Sequence, residues 1–294
     1  MKRFCTCCLL FCVVQAQDKT HTLISHGVER SYILYVPSSY TAGTPLPLLL
    51  VLHGKGGSAE GVAEMTGFSG LAEEQNFIAL YPNGLEQQWN FVKDPPGYTR
   101  MRQDDVGFLL ELVDEITRQY AVDDRRIYVT GFSNGGFMTQ RLACSAPERF
   151  AAFASVGGAG FGGLDALCQT PSALSLMLMH GTKDTVVPWS GHTRRRLESV
   201  TETFAFWSIY TGCNGDLTET SLPQMTIITS VTLIVAGCPD GNELLLYKIE
   251  GGGHNWPGAE GFLSSEVAGN VTMDIQASEV IWEFFSRHSR ADDR

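Results

Sequence analysis

The chain is 294 residues long, with 44% apolar and 18% charged residues, 31 glycines and 12 prolines, a balance that excludes disordered, collagen-like and coiled-coil proteins. Its 21 basic residues face 32 acidic ones, a formal charge of −11. Apart from Arg194-Arg195-Arg196 no segment concentrates cations, so no nucleic-acid partner is expected.

Residues 1–16 begin with Lys2-Arg3, continue in an apolar stretch from Phe4 to Val14 and end in Val14-Gln15-Ala16, the pattern of a secretory signal peptide cut after Ala16. The stretch is far shorter than the roughly 20 residues of a bilayer-spanning helix, and no later run reaches that length. A secreted, extracellular protein without a membrane span is expected, with residues 17–294 forming one domain. Cleavage removes Cys5, Cys7, Cys8 and Cys12 and leaves Cys144, Cys168, Cys213 and Cys238. None of these has Cys-x-x-Cys spacing, and in an oxidising compartment scattered cysteines pair as disulfides. Three connectivities are possible. The lower entropy of local loop closure favours Cys144–Cys168 and Cys213–Cys238.

Leu23-Ile24 and the alternating Tyr32-Ile33-Leu34-Tyr35-Val36 flank His26-Gly27-Val28 and predict an opening antiparallel pair. The near-continuous apolar runs 46–52, 77–81, 127–130, 153–156, 175–179 and 244–249 predict strands covered on both faces. Val106, Leu109, Leu110, Val113 and Ile116 recur at helical spacing behind Asp104-Asp105, which are expected to cap that helix. Met138, Leu142 and Ala143 suggest a second helix, and Ile275, Ala277, Val280, Ile281, Phe284 and Phe285 a third. Residues 214–235 read only as a loop followed by β-rich sequence. Strands alternating with helices give an α/β fold with a mainly parallel sheet and helices on both faces, in which ligands bind beyond the carboxyl ends of the strands.

At one such end stands Gly131-Phe132-Ser133-Asn134-Gly135-Gly136, between a buried strand and a helical pattern. Gly-x-Ser-x-Gly alone arises by chance in a glycine-rich chain, but in this context it is a nucleophile elbow: the turn is tight enough to require glycine on either side of the serine. Serine is a weak nucleophile unless a base and an acid accompany it. Asp184 follows the run 175–179, and His254 follows the run 244–249 in Gly251-Gly252-Gly253-His254. Taken singly, Asp184 reads as a turn residue and His254 as a solvated loop histidine. The chain order Ser, Asp, His is that of α/β-hydrolases, and the ordered set makes Ser133, Asp184 and His254 the candidate catalytic triad. Asp165 and Asp216 are rivals for the acid, and the rival bases His192 and His288 do not lie past a core strand. An oxyanion hole is expected from the amides of Asn134 and Lys55, the latter in His53-Gly54-Lys55-Gly56-Gly57-Ser58, whose order does not match a phosphate loop. Trp89, Trp189 and Trp256 adjoin these loops and are expected to bind substrate. The seven histidines show no metal-ligand spacing, so neither metal nor cofactor is expected. Asn270-Val271-Thr272 is a sequon only in a host that glycosylates.

With Tyr81-Pro82-Asn83-Gly84, Trp89-Asn90, Asp104-Asp105-Val106-Gly107-Phe108, His180-Gly181-Thr182 and Gly252-Gly253-His254-Asn255-Trp256-Pro257-Gly258, these motifs run through nearly the whole of residues 17–294. The chain resembles the secreted α/β-hydrolase esterases that include feruloyl esterases and polyhydroxybutyrate-depolymerase-like enzymes. The resemblance implies the same triad, the same two local disulfides and an ester substrate on polysaccharide or polyester oligomer. Many members carry Thr where this chain has Asn255, a difference expected in the cleft wall. The expected function is a secreted serine carboxylesterase acting on feruloyl or acetyl esters of plant polysaccharide. The alternatives are a polyhydroxybutyrate oligomer depolymerase, a serine peptidase or amidase, and an inactive hydrolase-fold binding protein.

Overall fold

The computed structural model describes residues 19–92, 103–259 and 268–290, and the signal peptide expected at 1–16 lies outside the described residues. The described chain opens with β1 (Lys19–Ser25) and β2 (Val28–Tyr35), joined by His26-Gly27, both at positive φ as a two-residue hairpin turn requires. The apolar runs form β3 (Leu46–Leu52), β4 (Ile78–Pro82), β5 (Val122–Phe132), β6 (Ala152–Val156) and β7 (Ser175–Gly181). The weakly patterned stretch supplies β8 (Leu217–Ser221) and β9 (Ser230–Ala236), ahead of β10 (Leu244–Glu250). β8 is exposed at every position, which is why hydrophobicity did not reveal it.

The strands lie in the order β1-β2-β4-β3-β5-β6-β7-β10-β9-β8. β4, β3, β5, β6, β7 and β10 run parallel, and both borders are antiparallel. Seven helices are described: α1 (Ala59–Thr66), α2 (Phe68–Gln75), α3 (Asp105–Gln119), α4 (Asn134–Ser145), α5 (Leu164–Leu167), α6 (Val200–Thr211) and α7 (Ala277–Ser286). Side chains alternate across a strand, so β3 serves two cores. Leu48, Leu50 and Leu52 share one cluster with Phe108, Leu112, Met138, Leu142 and Trp207 of α3, α4 and α6. Leu49 and Val51 share the other with Phe68 of α2 and Ile281, Phe284 and Phe285 of α7. Each of these fully buried leucines contributes roughly 1.5–3 kcal/mol relative to exposure.

Both expected local disulfides are present. Cys144 at the end of α4 joins Cys168 behind α5, and Cys213 behind α6 joins Cys238 behind β9. Among the described residues no helix is long and apolar enough to cross a membrane. Asp104 caps α3 by accepting from the Gly107 N–H at 2.8 Å. Asp105 departs from its expected capping role. It is buried against Arg30 at 2.7 Å, and Arg30 in turn lies 3.7 Å from the Phe108 ring centre.

Candidate active site

The carboxyl ends of β3, β5, β7 and β10 deliver the loops that begin at His53, Ser133, Thr182 and Gly251. Between β5 and α4, Ser133 sits at φ 55°, a left-handed conformation that costs a non-glycine residue about 1–3 kcal/mol. The site holds it there: the Ser133 N–H donates to Val156 O at 2.8 Å. A Cβ on Gly131 would lie 2.4 Å from the Gly135 carbonyl, and one on Gly135 would lie 2.2 Å from Leu52 O. Their lack of side chains is what lets the start of α4 press against the end of β3.

Ser133 Oγ lies 2.8 Å from His254 Nε2, and His254 Nδ1 lies 2.6 Å from Asp184 Oδ2. With Nδ1–H donated to the carboxylate, Nε2 is left to accept the serine proton. Asp184 is buried, and its Oδ1 accepts from the N–H groups of Val186 at 2.8 Å and Val187 at 2.7 Å. His180 touches the same carboxylate, its Nε2 3.4 Å from Asp184 Oδ2 and 2.8 Å from Val187 O. Burial pushes the His180 pKa down, so the ring is neutral and carries its proton on Nε2, facing that carbonyl. The rivals lie elsewhere. His192 caps the turn 193–195, His288 pairs with Glu243 at 2.9 Å, and Asp165 and Asp216 are exposed.

The loop after β3 is fastened by its own histidine. His53 Nδ1–H donates to Gly54 O at 2.7 Å, and Nε2 accepts from the Gly84 N–H at 2.9 Å. Burial lowers the His53 pKa, consistent with a neutral ring that uses both nitrogens. Gly54 O also accepts from Gly57 N at 3.0 Å, whereas the Lys55 N–H bonds to no acceptor among the described residues. Lys55, Ser133 and Asn134 line one cavity of about 370 Å³.

The tryptophan wall expected of this cavity is not there. Trp89 is fully buried and donates Nε1–H to His53 O at 2.9 Å, so it supports the loop from below. Trp256 is buried too, edge-on to Phe68, with Nε1–H donated to Ser278 Oγ at 3.1 Å. Trp189 is half-buried, edge-on to His180 and 5.9 Å from the Lys248 ammonium. Each indole is spent on packing near the site. The aromatic lining comes from Phe91, Phe137 and Phe161, with Phe91 stacked on Phe137 at 4.9 Å and edge-on to Phe161 at 4.9 Å. Asn255 likewise is not among the residues lining the cavity. Its Nδ2 donates to the carbonyls of Ala268, Gly269 and Asn270 and ties that segment to the His254 loop.

Motif reading also missed a side chain inside the elbow. Asn134 Oδ1 accepts from the Trp89 N–H at 2.5 Å, and its Nδ2 donates to Trp89 O at 3.3 Å, fastening the loop before Phe91 to the nucleophile turn. Next to it, Asp105 Oδ2 accepts from the Asn90 N–H at 2.7 Å.

Residues 30–190 match the family model described as Esterase PHB depolymerase. The chain belongs to this esterase family. It is a carboxylic ester hydrolase of the α/β-hydrolase fold. The esterase is 28% identical over 291 residues to NocK of Nocardia uniformis subsp. tsuyamanensis, a protein named as an esterase, covering 92% of this chain and 83% of the relative. It is 28% identical over 241 residues to feruloyl esterase B of Thermothelomyces thermophilus, covering 75% of this chain and 82% of the relative. In fold it is similar to the acetyl xylan esterase from Aspergillus awamori, with a TM-score of 0.59, 16% identity and 92% and 99% of the two chains covered.

Proposed function

We propose that this esterase is a secreted serine enzyme that cleaves feruloyl or acetyl esters of plant polysaccharide, with Ser133, His254 and Asp184 as its triad. The observation that carries the reading is the unbroken chain of 2.8 Å and 2.6 Å contacts from Ser133 Oγ through His254 to Asp184, at the wall of the cavity. His254 takes the serine proton as Oγ attacks the ester carbonyl, then returns it to the leaving alcohol; water repeats the sequence and frees the acid. Asp184, oriented by Val186 and Val187, stabilises the imidazolium. The amides of Asn134 and Lys55 receive the oxyanion, the first at the positive end of α4.

Three phenylalanines beside Ser133 favour an aromatic acyl group, and the cavity volume of about 370 Å³ suits one small acid better than a long chain. The feruloyl esterase relative supports the same choice. Secretion is supported by the signal-like residues 1–16 and by the two disulfides.

The test is hydrolysis of methyl ferulate, acetyl-xylan and hydroxybutyrate trimer by wild-type protein and by Ser133→Ala, with fluorophosphonate labelling of both. The variant is expected to fold, to lose labelling and to lose kcat by several orders of magnitude. Retention of a tenth of the activity refutes the triad. Rapid cleavage of the trimer alone refutes the substrate and leaves the triad standing.

A further inference from the structure

The single cationic run of the sequence comes to the mouth of the site. Arg195 and Arg196 line the same cavity as Ser133 and Phe161, together with Lys55, and no acidic residue lines it among the described residues. In a chain with 32 acidic against 21 basic residues, a cavity whose charged lining side chains among the described residues are all cations is a local reversal.

The run is also held in place. The turn 193–195 is capped by His192 and closed by bridges from Leu197 to His192 and to Phe161. Its carbonyl at Arg196 accepts from the Gly162 N–H at 2.7 Å, and the Glu198 N–H donates to Gly160 O at 2.9 Å. Arg196 sits at φ 56°, a conformation unfavourable for arginine, so the docked strap imposes it. The two guanidinium groups differ. Arg195 Nη1 donates to Val186 O at 3.1 Å, beside the Asp184 loop. The Arg196 side chain crosses the face of Gly162, where an added Cβ would lie 2.6 Å from its Nε, and bonds to no acceptor among the described residues.

We infer that the cleft selects esters that carry a carboxylate, recognised by Arg195 and Arg196 with Lys55 adding charge. The inference rests on the esterase reading of the Ser133 site and adds the substrate's charge to it. A guanidinium presents two parallel donors that match a carboxylate, and it keeps its charge at any physiological pH. The aromatic lining takes the apolar body of the substrate, and the cationic rim takes the anion at its end. The carboxylate can stand on the alcohol side, as in an acetyl or feruloyl ester borne by an acidic sugar, which keeps the proposed acyl groups, or on the acyl side, as in a half-ester of a dicarboxylic acid, which would replace them.

Two matched pairs separate these arms: 4-nitrophenyl butyrate against mono-4-nitrophenyl succinate for the acyl side, and methyl 4-acetoxybenzoate against 4-acetoxybenzoate for the alcohol side. The readout is the ratio of kcat/KM for the anionic ester to that for its neutral partner. In Arg195→Gln/Arg196→Gln this ratio is expected to fall by about tenfold to a hundredfold in one arm, the scale of a lost hydrogen bond to a charged group. Added salt lowers the wild-type ratio in the same arm. Arg195→Lys/Arg196→Lys restores part of it. The arm that moves assigns the side of the carboxylate. Ratios that stay within twofold in both arms overturn the inference while neutral-ester turnover upholds the esterase reading. Failure of wild-type protein to cleave any of the four esters overturns both.

Discussion

Gly135→Ala tests whether the approach of the elbow to β3 sets the catalytic geometry. The new Cβ would stand 2.2 Å from Leu52 O, 2.7 Å from Leu52 C and 2.8 Å from His53 O, all backbone atoms, whereas real Cβ atoms essentially never approach closer than 3.0 Å. The end of β3 must therefore retreat by at least about 0.8 Å. Leu52 and His53 are both buried, and His53 O is bonded to the Trp89 indole, so the shift reaches the Lys55 amide and the loop before Phe91. Overpacking of this kind costs about 1–3 kcal/mol of stability. A displacement near 1 Å at a reacting centre costs on the order of a hundredfold in rate. Urea denaturation and kcat for 4-nitrophenyl acetate measure the two effects. Gly136→Ala, whose Cβ would meet Ser155 Oγ at 2.9 Å and the backbone oxygens of Val156 and Gly131 at 3.0 Å and 3.2 Å, is expected to lose less, because its nearest contact is 0.7 Å longer. Gly70→Ala, exposed in α2 with nothing within 4 Å, is expected to gain about 0.5–1 kcal/mol. A Gly135→Ala protein with unchanged stability and kcat within threefold of wild type would refute the reasoning.

Asp105→Asn leaves the Arg30 charge buried without its partner and is expected to cost about 3–5 kcal/mol, largely recovered in Arg30→Met/Asp105→Asn; equal urea midpoints for wild type and the single variant would contradict this. His53 and His180 both have pKa values depressed by burial below 6.5, so below that pH the unfolded chain takes up protons the native state refuses, and stability falls. The loss approaches roughly 1.4 kcal/mol per pH unit for each histidine until its folded pKa is passed, and His180→Gln should flatten the slope of Tm against pH. Reduction is expected to cost roughly 2–4 kcal/mol per bridge, with Cys213→Ser/Cys238→Ser harming activity more because β10 leads from that bridge to His254. Non-reducing peptide mapping checks the pairing, and a Cys144–Cys213 linkage would contradict it. Asn255→Ala removes the side-chain bonds from the His254 loop to the segment 268–270, leaving the backbone bonds in place, and is expected to lower kcat with KM nearly unchanged; a rise in KM alone would place Asn255 on substrate instead.

The parallel strands were legible because burial on both faces leaves unbroken apolar runs such as Leu46–Leu52, and the elbow was legible because its glycines answer to backbone contacts a few residues away. Residues 217–221 gave no such signal, since an exposed edge strand needs no apolar side. Helices α1 and α2 are only 8 residues each and are parted by Gly67 at φ 64°, too short to establish a period. The tryptophans misled for a related reason. Proximity in sequence to a strand end does not state which way an indole turns, and Trp89 and Trp256 found buried hydrogen-bond acceptors beneath the loops. Asn134, His53 and Asp105 act through partners 45, 31 and 15 residues away, respectively, separations no local pattern encodes.

His53, Asn134 and Asp105 explain how one wall of the site is made rigid without adding charge to the cleft. His53 is neutral with both nitrogens engaged, Asn134 makes a reciprocal amide pair with Trp89, and the Asp105 charge is paired with Arg30 beneath the loop. Neutral hydrogen bonds suit this position because an uncompensated ion there would add its own field to the developing oxyanion. The opposite wall is built differently. Its base rests on a glycine loop fixed by backbone bonds, with Gly253 N–H donating to Asn270 O at 2.9 Å, His254 N–H to Ala268 O at 2.6 Å and Lys183 N–H to Gly252 O at 2.8 Å. Among the described residues the ionised groups lining the cavity are confined to its cationic rim, which the inferred carboxylate selectivity ties to which substrate enters, while in the proposed triad Asp184 behind His254 is the charge that bears on how fast it reacts. On this division, substitutions at Lys55, Arg195 and Arg196 act through substrate charge, and substitutions at Asn134, Gly135 or Asn255 act through geometry whatever the ester carries.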